Sequence, residues 1–219
     1  MKKGAAIVLY CLAACLAGYH IYLESSSRYL IGIPEKLGIA LLIGICFFLP
    51  TVLCMHWNPK KKKQYLRVFL YIMLGYYIWI LMNMLLFDAA FGRGLRWDHA
   101  LPLEEYWQTS TNFKPFFTIR NYLQTYWNGN ISGRIVAVNV LGNLLAFAPF
   151  GVFLPVLFPR MRQALPFLGA ITGAVCFVEL LQLLTRLGSC DIDDLILNLA
   201  GAAAVYFLMR IPPLRRIRL

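Results

Sequence analysis

Runs of twenty or more residues without one Asp, Glu, Lys or Arg constrain this chain more than anything else in it. Residues 4–23, 37–56, 68–87 and 135–159 are such runs, 163–185 is broken only by Glu179, and 195–209 is clean but short. A helix rises about 1.5 Å per residue and a bilayer's hydrocarbon core is about 30 Å thick, so roughly 20 apolar residues make one crossing. Lipid offers the backbone no hydrogen-bond partner, which leaves helices or closed barrels. Continuous apolar stretches, rather than alternation at every second residue, exclude the barrel. Charged residues make up only 14% of the chain, against about 25% in a soluble domain. The expected fold is all-α: a polytopic transmembrane helical bundle of six spans.

Charge placement orients it. With the N-terminus inside, the inner stretches hold Lys2, Lys3, Lys60 to Lys63, Arg67, Arg160, Arg162, Arg210, Arg215, Arg216 and Arg218, which is 13 of the 21 basic residues and no acid. Nine of the ten acids fall in outer loops, and the tenth is the intramembrane Glu179. This positive-inside bias predicts a multi-pass protein of the cell (plasma) membrane with N- and C-termini cytoplasmic. The net charge of +11 lies in short clusters between spans, where it meets anionic lipid rather than nucleic acid. The first run, after Met1-Lys2-Lys3, is longer than a secretory signal core and is read as a retained span. Five cysteines (Cys11, Cys15, Cys46, Cys54, Cys176) fall inside spans, Cys190 lies near a loop, and His20, His56 and His99 are far apart. Neither a disulfide framework nor a metal site is indicated, and no cofactor is expected.

Four regions follow. Residues 1–87 form three N-terminal spans with short loops and few polar side chains, read as generic membrane-filling helix. Residues 88–134 form an extracytoplasmic segment rich in aromatics (Trp97, Tyr106, Trp107, Phe113, Phe116, Phe117, Tyr122, Tyr126, Trp127), suited to the water–lipid interface and in part to amphipathic helix. Residues 112–209 include spans four to six, and 210–219 are a basic cytoplasmic tail.

The last three spans carry most of the intramembrane polar groups. Asn139 and Asn143, four apart, share a helical face; Pro149 and Pro155 predict a kink below them, and Gly142 and Gly151 allow a neighbour to approach closely. Span five carries Glu179, Gln182 and Arg186 on one stripe, with Gly169 and Gly173 as a small-residue packing pair. Span six opens with Asp191, Asp193 and Asp194; Asp191, Asp194 and Asn198 share a face from which Asp193 points away. Counted inward at about 1.5 Å per residue, Asn143, Glu179 and Asn198 all lie on the order of 10 Å below the outer surface. Interhelical polar glue, at about 0.6 kcal/mol per bond, is the plain explanation. A polar pocket open to the outside is the functional one, and its candidate ligand-binding residues are Asn139, Asn143, Glu179, Gln182, Arg186, Asp191, Asp194, Asn198 and, from the outer segment, Lys114. No catalytic residue is assigned.

These residues also carry a resemblance. Asn139-Val-Leu-Gly-Asn143 with Phe147-Ala-Pro149-Phe-Gly151 and Pro155, then Glu179-Leu-Leu-Gln182 with Gly188-Ser-Cys-Asp191-Ile-Asp193-Asp194-Leu-Ile-Leu-Asn198-Leu-Ala-Gly201, resemble two signatures of the VanZ-like membrane proteins. Asn112-Phe-Lys-Pro115-Phe116-Phe-Thr118-Ile119 is similar to a third, upstream stretch. The resemblance covers roughly residues 112–209; Leu199 stands where the family often has Thr, and the Arg before the acidic turn varies in the family. The family takes its name from a protein associated with resistance to the glycopeptide teicoplanin, so the resemblance implies a bacterial cell-envelope protein with a part in antibiotic resistance.

Three functions are compatible with this. One is a non-enzymatic envelope factor that binds a lipid-linked wall component or an amphiphilic lipoglycopeptide. The second is a membrane enzyme acting on a phospholipid or polyprenyl-phosphate head group, where Asp191, Asp194 and Glu179 would hold Mg²⁺; it lacks a nucleophile–base pair, since no histidine accompanies Ser189 or Cys190. The third, a transporter or flippase, lacks polar lining in the inner half of spans five and six. Membrane lipid is the expected partner, nucleic acid is not, and no oligomeric state is indicated.

Overall fold

In a computed structural model of the protein, which describes residues 2–25, 32–86, 102–186 and 188–212, the apolar runs are helices. Among the described residues, five stretches are long and apolar enough to cross a membrane: Gly4–Glu24, Pro34–Trp57, Pro59–Leu86, Gly133–Leu157 and Ala164–Thr185. The expected sixth span is not among them, because its helix has only 17 residues and opens on acids. Residues 87–101 (with Asp88, Trp97, Asp98 and His99) and the tail from 213, with Arg215, Arg216 and Arg218, lie outside the described residues. The chain divides into two units, one made chiefly of Met1–Met84 and one of Arg93–Arg218 together with Leu85–Phe87.

The first unit holds helices α1 (Lys2–Ser25), α2 (Ile33–Trp57) and α3 (Lys62–Leu86). Pro34 sits in the first turn of α2, where its missing N–H costs nothing, and Asn58-Pro59 ends the helix. Ala13, Ile43 and Phe47 make the core, with Tyr10, Phe69, Met73 and Tyr76 packed around it. Pro50 breaks the bonding of α2 from within, and Thr51 braces the spot. Its hydroxyl donates to Phe47 O at 2.8 Å, so the Tyr10 hydroxyl, 2.9 Å away, is the one that donates to Thr51 Oγ1.

These helices are not the generic filler their composition suggests. Glu24 is no loop residue: its side chain is 5% exposed, and Lys36 Nζ donates to its Oε2 at 2.6 Å. His20, fully buried one turn away, bonds Tyr76 Oη through Nδ1 at 2.6 Å and lies edge-on to the Trp79 ring. Its Nε2 is 3.6 Å from Glu24 Oε1, and neither atom has a hydrogen-bond partner among the described residues. Side chains that hydropathy counts as isolated thus form an ionic cluster across three helices.

The second unit contains α4 (Leu103–Ser110), α5 (Phe117–Trp127), α6 (Gly133–Ala146), α7 (Phe150–Leu157), α8 (Ala164–Thr185) and α9 (Ile192–Leu208). The kink expected in span four is a full break at Phe147-Ala-Pro149, between α6 and α7. One short β pairing departs from an all-α fold: Thr111 and Asn112 (β1) run parallel to Cys190 and Asp191 (β2). The core lines one face of α8 with Phe167, Ile171, Val175 and Val178, all buried, and Phe167 stacks on Tyr206 of α9 at 4.3 Å between ring centroids.

Glycines let α9 press backbone to backbone against its neighbours. A methyl group on Gly201 would overlap the Leu144 carbonyl oxygen, and one on Gly151 would stand 2.7 Å from Tyr206 N. The other glycines expected at interfaces are not there. A methyl added at Gly142, Gly169 or Gly173 would meet nothing within 4 Å, because these residues face outward from their helices. Gly201→Ala is therefore expected to cost about 1–3 kcal/mol or more through overpacking, while Gly142→Ala gains up to about 1 kcal/mol from helix propensity. Reversible unfolding of the purified variants in detergent measures both.

Candidate functional site

A single buried carboxylate organises the end of the second unit at which α9 begins. Asp193 is fully buried, and its oxygens accept three backbone N–H groups, from Phe116, Thr118 (2.8 Å) and Ile119 (3.1 Å). These amides lie at the start of α5, where a helix has no internal acceptor for them and where its dipole favours an anion. Phe116 is held in the left-handed region at φ 62°, a conformation that costs a side-chain-bearing residue about 1–2 kcal/mol. The Asp193 contact offsets it.

Asn112 closes the turn ahead of α5. Its Oδ1 accepts from Lys114 N at 3.0 Å, while Nδ2 donates to Thr118 Oγ1 and to Asp191 Oδ1, each at 3.0 Å. Asp191 in turn caps α9, with Oδ1 accepting from Asp193 N at 2.9 Å. Its own N–H donates to Glu179 Oε2 at 3.1 Å. On the α6 side, Asn143 Nδ2 donates to Asp194 Oδ1, and Asn198 Nδ2 donates to the Asp194 carbonyl at 2.7 Å.

Of the residues singled out in the sequence, Asn143, Glu179, Asp191, Asp194 and Asn198 enter this network. The others lie elsewhere. Asn139 turns back on its own helix and donates to Ile135 O at 2.8 Å. Gln182 is 2% exposed and donates to Leu85 O at 2.8 Å. Arg186 leaves the expected stripe because α8 ends at Thr185, and Arg186 caps it at φ 56°. Lys114 is exposed, with Nζ 5.9 Å from the centre of the Phe117 ring.

The reading from periodicity sent Asp193 away from the site, yet it carries the most backbone bonds there. It points off the Asp191–Asp194–Asn198 face because its partner is the α5 segment, which helix periodicity cannot see. Asn112, Thr118 and Ile119 were visible as a motif, without their role. Tyr106, one of the aromatic residues of the 88–134 segment, accepts from Gly188 N through its Oη at 3.2 Å, a role its place among interfacial rings does not suggest.

Two neutral groups flank the network. Burial first, then Glu179 and Asp191, push the Cys190 thiol up; burial first, then Asp194 and Asp191, push the Tyr122 phenol up. Among the described residues, no three His, Cys, Asp or Glu side chains are grouped to hold a metal ion. The Asp191 and Asp193 oxygens accept from N–H donors instead.

Fold and site together define a helical membrane protein with a carboxylate–amide network at one end of its C-terminal helices. The chain matches the VanZ/LLP1 family model over residues 70–213 and belongs to that family. The match begins inside α3, well before residue 112, where the sequence resemblance starts. No curated protein and no solved structure matches the chain.

Asp193→Ala is expected to lower stability by at least about 2 kcal/mol, since bonds to a charged acceptor contribute about 1.5–3 kcal/mol each. Amide exchange over 116–127 should accelerate while α8 keeps its protection; unchanged exchange in α5 refutes the clamp. Cys190 alkylation, followed by mass spectrometry, should have a pH midpoint above the ordinary thiol value of about 8.5, because its thiolate forms only at higher pH.

Proposed function

We propose that this VanZ-like protein is a non-enzymatic factor of the bacterial cell envelope. It crosses the plasma membrane six times with both ends in the cytoplasm, and α9 serves as a short sixth span. The network of Glu179, Asp191, Asp194, Asn143 and Asn198 then faces the extracytoplasmic side. There it binds the head group of a lipid-linked wall component or an amphiphilic glycopeptide antibiotic, and so contributes to low-level resistance.

The observation that supports this most is the convergence of polar side chains from α6, α8 and α9 with the aromatic outer segment. Charged groups are rare within membranes and mark functional sites by default. The exposed rings of Phe113, Phe116, Phe117 and Trp127 beside it suit an amphiphile's apolar part. Depth agrees: Asn198 lies six residues into α9, about 9 Å along its axis. The enzyme reading has less support, because the network's carboxylates meet amides and the Cys190 thiol is held protonated.

Deleting the gene should raise lipoglycopeptide susceptibility. The wild-type copy should restore the original level, and a Glu179→Ala, Asp194→Ala copy expressed at equal membrane abundance should not. Equal susceptibility in all three strains rules the proposal out.

A further inference from the structure

The network has one acceptor to spare. Asn198 is 3% exposed; its Nδ2 donates to the Asp194 carbonyl at 2.7 Å, and its Oδ1 is buried with no donor among the described residues. Exchanging the amide's oxygen and nitrogen would set two acceptors against each other, so the bond to Asp194 determines the orientation. Buried polar atoms in folded proteins are nearly always satisfied, and an orphaned acceptor needs a donor from elsewhere.

The surroundings limit what that donor can be. One helical turn away, the Asp194 carboxylate accepts from Asn143, and Glu179 accepts from the Asp191 amide. Tyr122 and Cys190 lie on different elements, and burial first, then carboxylates of the network, push the phenol and the thiol up. Glu179, Asp191 and Asp194 together bring three carboxyl groups to the network. Asn143, Asp194 and Tyr122 are half-buried, which leaves this side approachable. A phosphate brings only acceptors and negative charge, so it would leave Asn198 Oδ1 unfilled and face the carboxylates. A primary ammonium brings three donors, a positive charge and no acceptor.

We infer that the site takes the primary ammonium of an amphiphilic ligand, with Asn198 Oδ1 accepting one N–H and the Asp194 carboxylate as counter-ion. This rests on the head-group-binding reading above and names its chemistry. The amine can belong to an aminophospholipid or to an amine-bearing peptide or antibiotic.

The test uses the full-length protein in phosphatidylglycerol nanodiscs, titrated with dodecylammonium, dodecyltrimethylammonium and dodecyl phosphate. Dodecylammonium should bind about tenfold tighter than either of the others, as expected for one charge-assisted hydrogen bond. Asn198→Leu should erase that difference. The trimethylated probe keeps the charge and lacks the N–H, so equal affinity for it overturns the inference, as does a preference that survives in Asn198→Leu. Because the probe series is run on the unmodified protein, it decides the matter even if the variant does not fold. Competition by added phosphatidylethanolamine, against competition by a lauroyl-lysine amide, separates the two sources. Tight dodecyl phosphate binding without ammonium binding sinks this inference alone, whereas no binding of any amphiphile sinks the head-group reading with it.

Discussion

A carboxylate with no exposed surface must find donors, and the first turn of a helix must find acceptors. Asp193 and the start of α5 answer each other's requirement. Most of the architecture around the start of α9 depends on this contact. It fixes the left-handed Phe116, sets the direction of α5 and brings Asn112 alongside Asp191, where the two-residue β pairing adds backbone bonds. The exposed rings of Phe116, Phe117 and Trp127 are then carried on a helix anchored from beneath rather than on a free loop.

Close helix contact makes the remaining network possible. Gly201 allows α9 to meet the α6 backbone at Leu144, and Gly151 allows α7 to meet α9 at Ala202 and Tyr206. At that separation the short side chains of Asn143 and Asp194 reach each other. The first unit handles buried charge differently. Lys36 neutralises Glu24 directly, and His20 extends the cluster to Tyr76 on a third helix. An ion pair fits there because a lysine falls at the start of α2. In the C-terminal helices, amides and backbone N–H groups bond the acids.

Much of the site is legible in the sequence. Asn143, Glu179, Asp191, Asp194 and Asn198 could be grouped because helical periodicity assigns faces and residue counts assign depth. That reasoning fails where a helix stops or a non-helical partner intervenes. Arg186 left the stripe when α8 ended one residue earlier. Gly169 and Gly173 have packing-motif spacing yet face outward, because spacing alone does not say which side of a helix meets a neighbour. His20, Glu24 and Lys36 escaped notice because the residues that join them lie on three different helices.

By itself, then, the sequence determined that this is a helical membrane protein and marked the five stretches apolar enough to cross, along with a sixth whose helix is too short to be counted with them. Hydropathy is a sum along one helix, and each helix carries that sum internally. Tertiary structure alone decided which acid holds the start of α5, which glycines are contact points and that Asn198 Oδ1 has no donor among the described residues. Those outcomes depend on backbone amides that meet a side chain 74 to 77 positions away, as at Asp193. No local pattern encodes such a meeting.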